Sequence, residues 1–236
     1  DMINPTRCSA IITGNIIAGC DDHGIVLRDK CYPVLTNNLI IDCSSAGIAV
    51  ENSCQATLIN NTIVNCRRGI RLFDLGRSGP PYYLTPGGGT ATVINCIIWD
   101  CPEPITLANS SNTEIADRGS HITVKYSDIQ GGRNAISAPS SHSTVTWGPG
   151  NINADPQFAS AGNWDCRLKS RAGRWDAAGE SWVLDDVTSP CIDAGEPGYP
   201  VAFEPYPNGG VINMGFYGGT DEASKSPSGL HAKYGG

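Results

Sequence analysis

The chain has 236 residues, room for one large domain or two small ones, and its 40% of hydrophobic residues can form a sizeable core. The formal net charge of −7 argues against nucleic acid or an anionic membrane surface as the main partner, because both attract basic patches. No apolar run approaches the ~20 residues that a membrane-spanning helix needs, so we expect no membrane span.

Turn-forming residues and a low charge content indicate a β-rich protein. Charged residues make up 17% of the chain, which also has 28 glycines and 16 prolines. This composition is typical of short strands joined by turns. The ten cysteines include no CxxC pair, so metal sites are not indicated. Such cysteine usage favours an oxidising environment, and we expect an extracellular or cell-surface protein without a metal or cofactor.

Six cysteines near the start of the chain recur with a fixed period. Two interleaved series have a spacing of 23 residues: Cys8, Cys31 and Cys54, and then Cys20, Cys43 and Cys66. A period of this length is typical of repeat proteins, in which each repeat is one structural unit stacked on the next. Other positions share the period, namely Ile12, Leu35 and Leu58; Asn15, Asn38 and Asn61; Ile17, Ile40 and Ile63; Gly24, Gly47 and Gly69; and Ile25, Ile48 and Ile70.

The repeat continues past two insertions, near residues 77–88 and 112–119. The equivalent positions after the first are Val93, Cys96, Ile98, Cys101 and Ile105, and after the second Val124, Ser127, Ile129, Gly132 and Ile136. The pattern therefore predicts five coils, and Thr144 to Trp147 would begin a sixth.

The apolar residues of each repeat alternate at spacings of two, which is the periodicity of strands. At ~3.3 Å per residue, a coil of 23 residues holds about three short strands and three corners. Coils stacked at ~4.8 Å form a right-handed parallel β-helix, because parallel crossovers are right-handed. We predict an all-β solenoid of such coils over residues 1–150, followed by an irregular closing or capping region of the same domain over 151–236.

The matched positions have expected roles in such a coil. The aliphatic positions should point inward as stacks, and Asn15, Asn38 and Asn61 should form a hydrogen-bonded ladder at a corner. The glycines at 24, 47 and 69 should adopt positive φ. The cysteine columns, with Cys101 continuing the second one, have two interpretations: buried thiols, or disulfides between adjacent coils. We expect a bridge between Cys166 and Cys191, which lie outside the repeats.

These coils resemble the right-handed β-helix repeats of the pectate-lyase-like superfamily, including the NosD-type repeats of secreted bacterial proteins. Three C-terminal segments are similar to the recurring end of large bacterial surface β-helix proteins: NINADPQF (Asn151 to Phe158), SPCIDAGEP (Ser189 to Pro197) and NGGVINMGFYGG (Asn208 to Gly219). The resemblance implies a β-helix that such a passage closes. It does not select a function, because the superfamily holds lyases, hydrolases, adhesins and structural fibres.

No catalytic constellation follows from the repeat. The outward positions of successive coils are Asp21 and Asp22, then two serines, then Arg67 and Arg68, so no column of carboxylates forms. The string DDHG (Asp21 to Gly24) is similar to elements of polygalacturonases, but there they come from separate coils. We predict no catalytic residue, and the interpretation leans towards a non-enzyme.

A candidate ligand-binding surface precedes and includes the first insertion. Arginines grip acidic sugars and aromatic rings stack on sugars, so the cluster would suit an acidic polysaccharide. The alternative is a loop that covers apolar surface. The candidate residues are Arg67, Arg68, Arg71, Tyr82 and Tyr83.

The first coil shows no cap in the sequence, since Met2 and Ile3 match the last strand of a preceding coil. Either the chain is part of a longer solenoid, or this edge meets another molecule and subunits stack end to end. We therefore favour an extracellular structural module that self-associates through its β-helix ends. The alternatives are a polysaccharide lyase or hydrolase acting on acidic glycans, and a glycan-binding module of a larger secreted enzyme.

Overall fold

The computed structural model describes residues 8–74, 87–108 and 118–227. Its first part consists of short strands wound into coils, with one 3-10 turn, Gly132–Ala135. In chain order the strands are β1 (Ile11–Thr13), β2 (Ile16–Ala18), β3 (Ile25–Leu27), β4 (Val34–Thr36), β5 (Leu39–Ile41), β6 (Ala46–Glu51), β7 (Gln55–Ile59), β8 (Thr62–Val64), β9 (Arg68–Phe73), β10 (Thr90–Ile94), β11 (Ile97–Trp99), β12 (Glu103–Leu107), β13 (His121–Lys125), β14 (Asp128–Ile129), β15 (Ile136–Ser137) and β16 (Thr144–Trp147).

Three parallel sheets run along the axis of the solenoid. Sheet A has the order β1-β4-β7-β10-β13-β16, sheet B the order β2-β5-β8-β11-β14, and sheet C the order β3-β6-β9-β12-β15. Each coil contributes one strand to sheet A, one to sheet B and one to sheet C, and the chain then enters the next coil. The prediction of a right-handed parallel β-helix is confirmed, and β16 begins the sixth coil.

The register agrees with the alignment of the repeats. Val93 lies opposite Leu58 and Val124, and Ile98 lies opposite Ile63 and Ile129. The inward aliphatic side chains form one continuous core, with Leu58, Val93 and Ile98 fully buried. Burying each such side chain contributes roughly 1.5–3 kcal/mol, so the stack is the main source of stability.

The glycine column has a different role from the expected one. Gly24, Gly47 and Gly69 do not belong to the residues with positive φ, so that prediction is wrong. Instead, a Cβ on Gly47 would lie 2.5 Å from Cγ2 of Ile63. Glycine is needed because the backbone of one coil passes directly against an inward isoleucine of the next.

Left-handed backbone occurs one residue before the inward side chains of Asn38, Asn61 and Cys96. Asn37, Asn60 and Asn95 have φ values of 50°, 52° and 54°. Asparagine tolerates this conformation better than other residues with a side chain, which explains its recurrence at the corner between sheets A and B. Each of these corners therefore presents one side chain inward and one outward.

The C-terminal region, from residue 151 onward, packs along the outward face of sheet B. It contains two antiparallel pairs, β17 (Phe158–Ser160) with β18 (Asp165–Leu168) and β19 (Arg174–Asp176) with β20 (Ser181–Val183). The region thus lies along the side of the solenoid, and its role as a closing or capping region stays a prediction. Asn151 and Ile152 extend the coils, the latter through a bridge to Asp128. No helix in the described ranges is long and apolar enough to cross a membrane.

Sheet B is apolar on both faces, and this explains why it needs a cover. Its outward residues Leu39, Ile41 and Val64 are buried against a cluster that includes Cys166 and Phe216. Strands covered on both faces have continuous apolar sequences, as LII in β5 and IIW in β11 show here.

Candidate functional site

A ladder of side chains runs the length of the solenoid at the corner between sheets A and B. The backbone N–H of Asn15 donates to Oδ1 of Asn38 at 3.2 Å, and that of Asn38 donates to Oδ1 of Asn61 at 3.1 Å. The side-chain amides of Asn15 and Asn38 donate to the same two oxygens at 3.0 and 2.9 Å. Each rung therefore accepts hydrogen bonds from the coil before it.

The ladder continues where asparagine is replaced. The N–H of Asn61 donates to Sγ of Cys96 at 3.4 Å, and the N–H of Cys96 donates to Oγ of Ser127 at 3.1 Å. Ser127 N–H in turn donates to Oδ1 of Asn151 at 3.1 Å. Six rungs thus share one polarity, from Asn15 to Asn151.

Among the described residues, nothing pairs with the outer edge of the first coil, and two of its isoleucines are exposed. Within the described residues, β1, β2 and β3 each pair on one side only, with β4, β5 and β6. Ile11 is 76% exposed and Ile16 is 58% exposed. No described residue donates a hydrogen bond to Oδ1 of Asn15, so the ladder ends in an open acceptor.

The cysteine columns contain thiols, since all ten cysteines are free. In the second column, Sγ of Cys66 donates to the carbonyl of Val64 at 3.5 Å, and Sγ of Cys101 donates to that of Trp99 at 3.4 Å. The hydrogen bond with Cys101, together with burial, raises the pKa of Cys66 to about 12. A thiol with so high a pKa is a poor nucleophile, so this column packs the core.

The bridge expected between Cys166 and Cys191 is absent. Cys166 packs with Leu39 and Val64, whereas Cys191 packs with Ile97 in a separate cluster. The thiol of Cys191 instead donates to Oδ2 of Asp128 at 3.1 Å, which fastens the C-terminal region to the fifth coil. Burial raises the pKa of Asp128 to about 6.

The predicted arginine surface lies at the start of strand β9 in sheet C, where the carboxylate of Glu103 offsets one of its three positive charges. Arg68 makes two hydrogen bonds to Glu103, at 2.9 and 3.1 Å, and Arg67 lies 4.0 Å from the same carboxylate. The guanidinium of Arg71 lies 4.0 Å from the ring centre of Phe73. The structure therefore brings the three arginines together, and the carboxylate of Glu103 lies within ion-pair distance of two of them.

Two predicted residues of that surface, Tyr82 and Tyr83, lie outside the described residues. In the DDHG string, Nδ1 of His23 accepts the N–H of Ala46 at 3.1 Å, which is a structural hydrogen bond between coils. The described residues contain no group of three or more His, Cys, Asp or Glu side chains that could hold a metal ion.

The corner between sheets B and C holds a polar surface that the sequence analysis missed. Asp42, Asn65 and Asp100 occupy equivalent positions on successive coils, with φ values of 59°, 52° and 52°. Two cavities of about 350 and 600 Å³ share Asn65 and Asp100 in their walls. The sequence did hold a signal for this surface, because Asp, Asn and Asp directly precede the second cysteine of coils two, three and four.

A second missed feature is the outward asparagine of the corner between sheets A and B. Nδ2 of Asn37 donates to the carbonyl of Phe216 at 2.7 Å, and Nδ2 of Asn60 donates to that of Asn213 at 2.8 Å. The recurring pair of polar residues thus binds the C-terminal region with its first member and builds the ladder with its second.

The comparison with known families supports this architecture. A family model described as a right handed beta helix region matches residues 10–117, slightly less than half of the chain. The protein therefore has the fold of a right-handed parallel β-helix, and in this segment it is similar to that family. No curated protein and no solved structure matches the chain.

Proposed function

We propose that this protein is a structural β-helix module whose first coil joins the last coil of a second copy, so that molecules stack end to end in an extracellular assembly. The observation that carries the proposal is the polarity of the ladder. Its first rung, Asn15, has an open side-chain oxygen, and the backbone N–H of its last rung, Asn151, has no hydrogen-bond acceptor among the described residues.

These two ends are complementary without any rearrangement of the ladder. Along the solenoid each rung donates its N–H to the oxygen or sulfur of the next rung. The N–H of Asn151 in one copy would therefore donate to Oδ1 of Asn15 in the next. Such a head-to-tail contact is heterologous, and if it does not close into a ring it generates a filament.

The apolar residues of the first coil supply the driving force. Ile12 and Ile17 are only partly buried, whereas Leu35 and Ile40, their equivalents on the second coil, are fully buried. Covering an exposed Ile side chain contributes up to roughly 1.5–3 kcal/mol. An open strand edge with exposed apolar residues readily pairs with another chain.

The setting of the assembly is part of the proposal. The resemblance to secreted and surface β-helix proteins, including the pectate-lyase-like superfamily, supports an extracellular or cell-surface location. Glu103 neutralises Arg68 in the surface that would bind an acidic glycan. No observation among the described residues therefore favours a lyase or hydrolase over a structural module.

Sedimentation velocity over a range of concentrations tests the proposal. The unmodified chain should form larger species as concentration rises, and Ile11→Lys with Ile16→Lys should keep it monomeric, because charge on an edge opposes pairing. The matched control is Leu184→Lys, at a residue that is 75% exposed and outside the coils. An unmodified chain that stays monomeric, or double-lysine and control variants that associate equally, would refute end-to-end stacking.

A further inference from the structure

A trough runs along the outside of the solenoid at the corner between sheets B and C. We call it the corner trough and define it by Asp42, Asn65, Asp100, Gln130 and Pro102. Its two cavities, of about 350 and 600 Å³, are adjacent, since Asn65 and Asp100 line both, and their walls hold residues of four successive coils from Asp42 to Gln130. The trough therefore follows the solenoid axis over several coils, which suits an extended ligand.

The polar groups of the trough stand in a row with one orientation. Asp42, Asn65 and Asp100 share the same left-handed backbone geometry, and successive coils place them ~4.8 Å apart. Nδ2 of Asn65 donates to Oδ1 of Asp42 at 2.7 Å, which fixes the amide. The carboxylate of Asp100 makes no hydrogen bond or ion pair with any described residue, so it faces solvent ready to accept one.

An aromatic residue is held at the rim of the trough. Nε1 of Trp164 donates to Oδ2 of Asp42 at 2.7 Å, yet the residue remains 48% exposed. The hydrogen bond limits the movement of the indole ring, which packing against neighbours would do if the residue were buried. A fixed, exposed indole beside carboxylate and amide groups is suited to stacking on the apolar face of a sugar while the polar groups bind its hydroxyls.

The charge of the trough selects among carbohydrates. No Lys or Arg lines the smaller cavity or the larger one, whereas Asp42 and Asp100 contribute two negative charges. Uronate or sulfated chains would be repelled. The corner trough is also separate from the arginine surface on sheet C, since none of Arg67, Arg68 and Arg71 lines either cavity.

We propose that the corner trough binds a neutral, hydroxyl-rich polysaccharide chain laid along the solenoid axis. Successive sugar units would meet the side chains of successive coils, and Trp164 would stack on one of them. This binding is independent of end-to-end stacking, since neither Asn15 nor Asn151 lies in the trough.

Isothermal titration calorimetry with neutral hexasaccharides of glucan, xylan, mannan and chitin, and with hexagalacturonate as the acidic comparator, tests this. At least one neutral chain should bind and hexagalacturonate should not. Asn65→Gly, Asp100→Gly and Trp164→Ala should each weaken binding about tenfold, the effect expected from one lost contact. Glycine suits the left-handed backbone of the first two, so those variants keep their fold.

The control is Phe203→Ala, at an aromatic residue that is 79% exposed and outside the trough. It should leave the affinity unchanged, and melting curves confirm that each variant is folded. Absence of binding by every neutral chain, a preference for hexagalacturonate, or equal affinity in Asp100→Gly and the unmodified chain would each overturn the proposal. Asp100→Gly decides the matter even if Trp164→Ala does not fold, because the Asp100 side chain bonds to no described residue that holds the structure.

Discussion

The thiol of Cys96 takes the place of an asparagine amide: its sulfur accepts the backbone N–H of Asn61 at 3.4 Å. The same thiol donates within the coil to the carbonyl of Ile94, at 3.3 Å. Cys96 therefore acts as a rung of the ladder, unlike the cysteines of the two columns. Burial raises the pKa of Cys96 to about 11, so the sulfur stays a neutral thiol at physiological pH.

Replacing this rung should expose its role. Cys96→Ala leaves the buried N–H of Asn61 without an acceptor, which should cost about 1–3 kcal/mol in the free energy of unfolding. Cys96→Ser should retain most of the stability, since the serine hydroxyl of Ser127 already serves as the next rung. Urea denaturation measures both, and equal losses in the two variants would show that the sulfur only fills space.

The glycine column should not tolerate a methyl group. In Gly47→Ala the new Cβ would lie 2.5 Å from Cγ2 of Ile63 and 3.1 Å from the carbonyl oxygen of Gly69. Forcing such contacts costs about 1–3 kcal/mol. Gly162→Ala is the matched control, because a Cβ on Gly162 would have no described atom within 4 Å. A Gly47→Ala variant as stable as the control in urea denaturation would contradict the close packing.

Stability should fall as pH rises from about 4 towards 8. Burial raises the pKa of Asp128 to about 6 and that of Glu204 to about 7. The folded state therefore holds protons that the unfolded state releases near its ordinary carboxyl pKa values. The stabilisation from these two groups is greatest below the unfolded-state pKa values and is lost as the pH rises through the folded-state pKa values. For each group the loss is at most about 1.4 kcal/mol for every pH unit between its unfolded and folded pKa values.

Substitution separates the contributions of Glu204 and Asp128 to the pH dependence of stability. Glu204→Gln should flatten the part of the pH profile near 7, and Glu180→Gln, at an exposed residue, is the matched control. Urea denaturation between about pH 4 and 8 measures both variants, a range that includes the pKa of ~4.3 of an ordinary Glu. A Glu204→Gln profile that follows the unmodified chain would refute the assignment.

Counting thiols tests the state of the cysteines. All ten should react with a thiol reagent in denaturant, since all are free. In the native protein Cys8 and Cys20 should react first, because the other eight are buried. A count two or more short of ten in denaturant would instead support disulfides, including the Cys166–Cys191 bridge that the structure lacks.

The sequence predicted the register of the coils correctly, because equivalent positions of successive repeats lie next to each other in the stack. The pairing of Val93 with Leu58 follows from the period alone, because in a solenoid each coil repeats the environment of the last. The C-terminal region has no such period, and contacts such as Asn60 to Asn213 join residues 153 positions apart. The uninterrupted apolar run from Leu39 to Ile41 was the available signal for its docking site, and the sequence analysis missed it.

The role of the glycines could not be read from the repeat. A regular spacing shows that Gly47 matters to the coil, but positive φ and close backbone approach are both reasons for glycine. The backbone angle of Gly47, whose φ is not positive, and its close approach to Ile63 distinguish the two. The corner trough was hidden for a similar reason, since Asp42, Asn65 and Asp100 acquire meaning through the cavities and through Trp164, which is far away in the sequence.

The central claim, that copies join by continuing the ladder from Asn151 to Asn15, predicts the geometry of the assembly. Six rungs per molecule at ~4.8 Å each give a rise of about 29 Å per subunit along the filament axis. Electron cryo-microscopy of concentrated protein measures that rise directly. A filament with this rise and unbroken parallel sheets across the junction is the expected result, and particles that remain single, or that pair by a two-fold axis, would contradict the account.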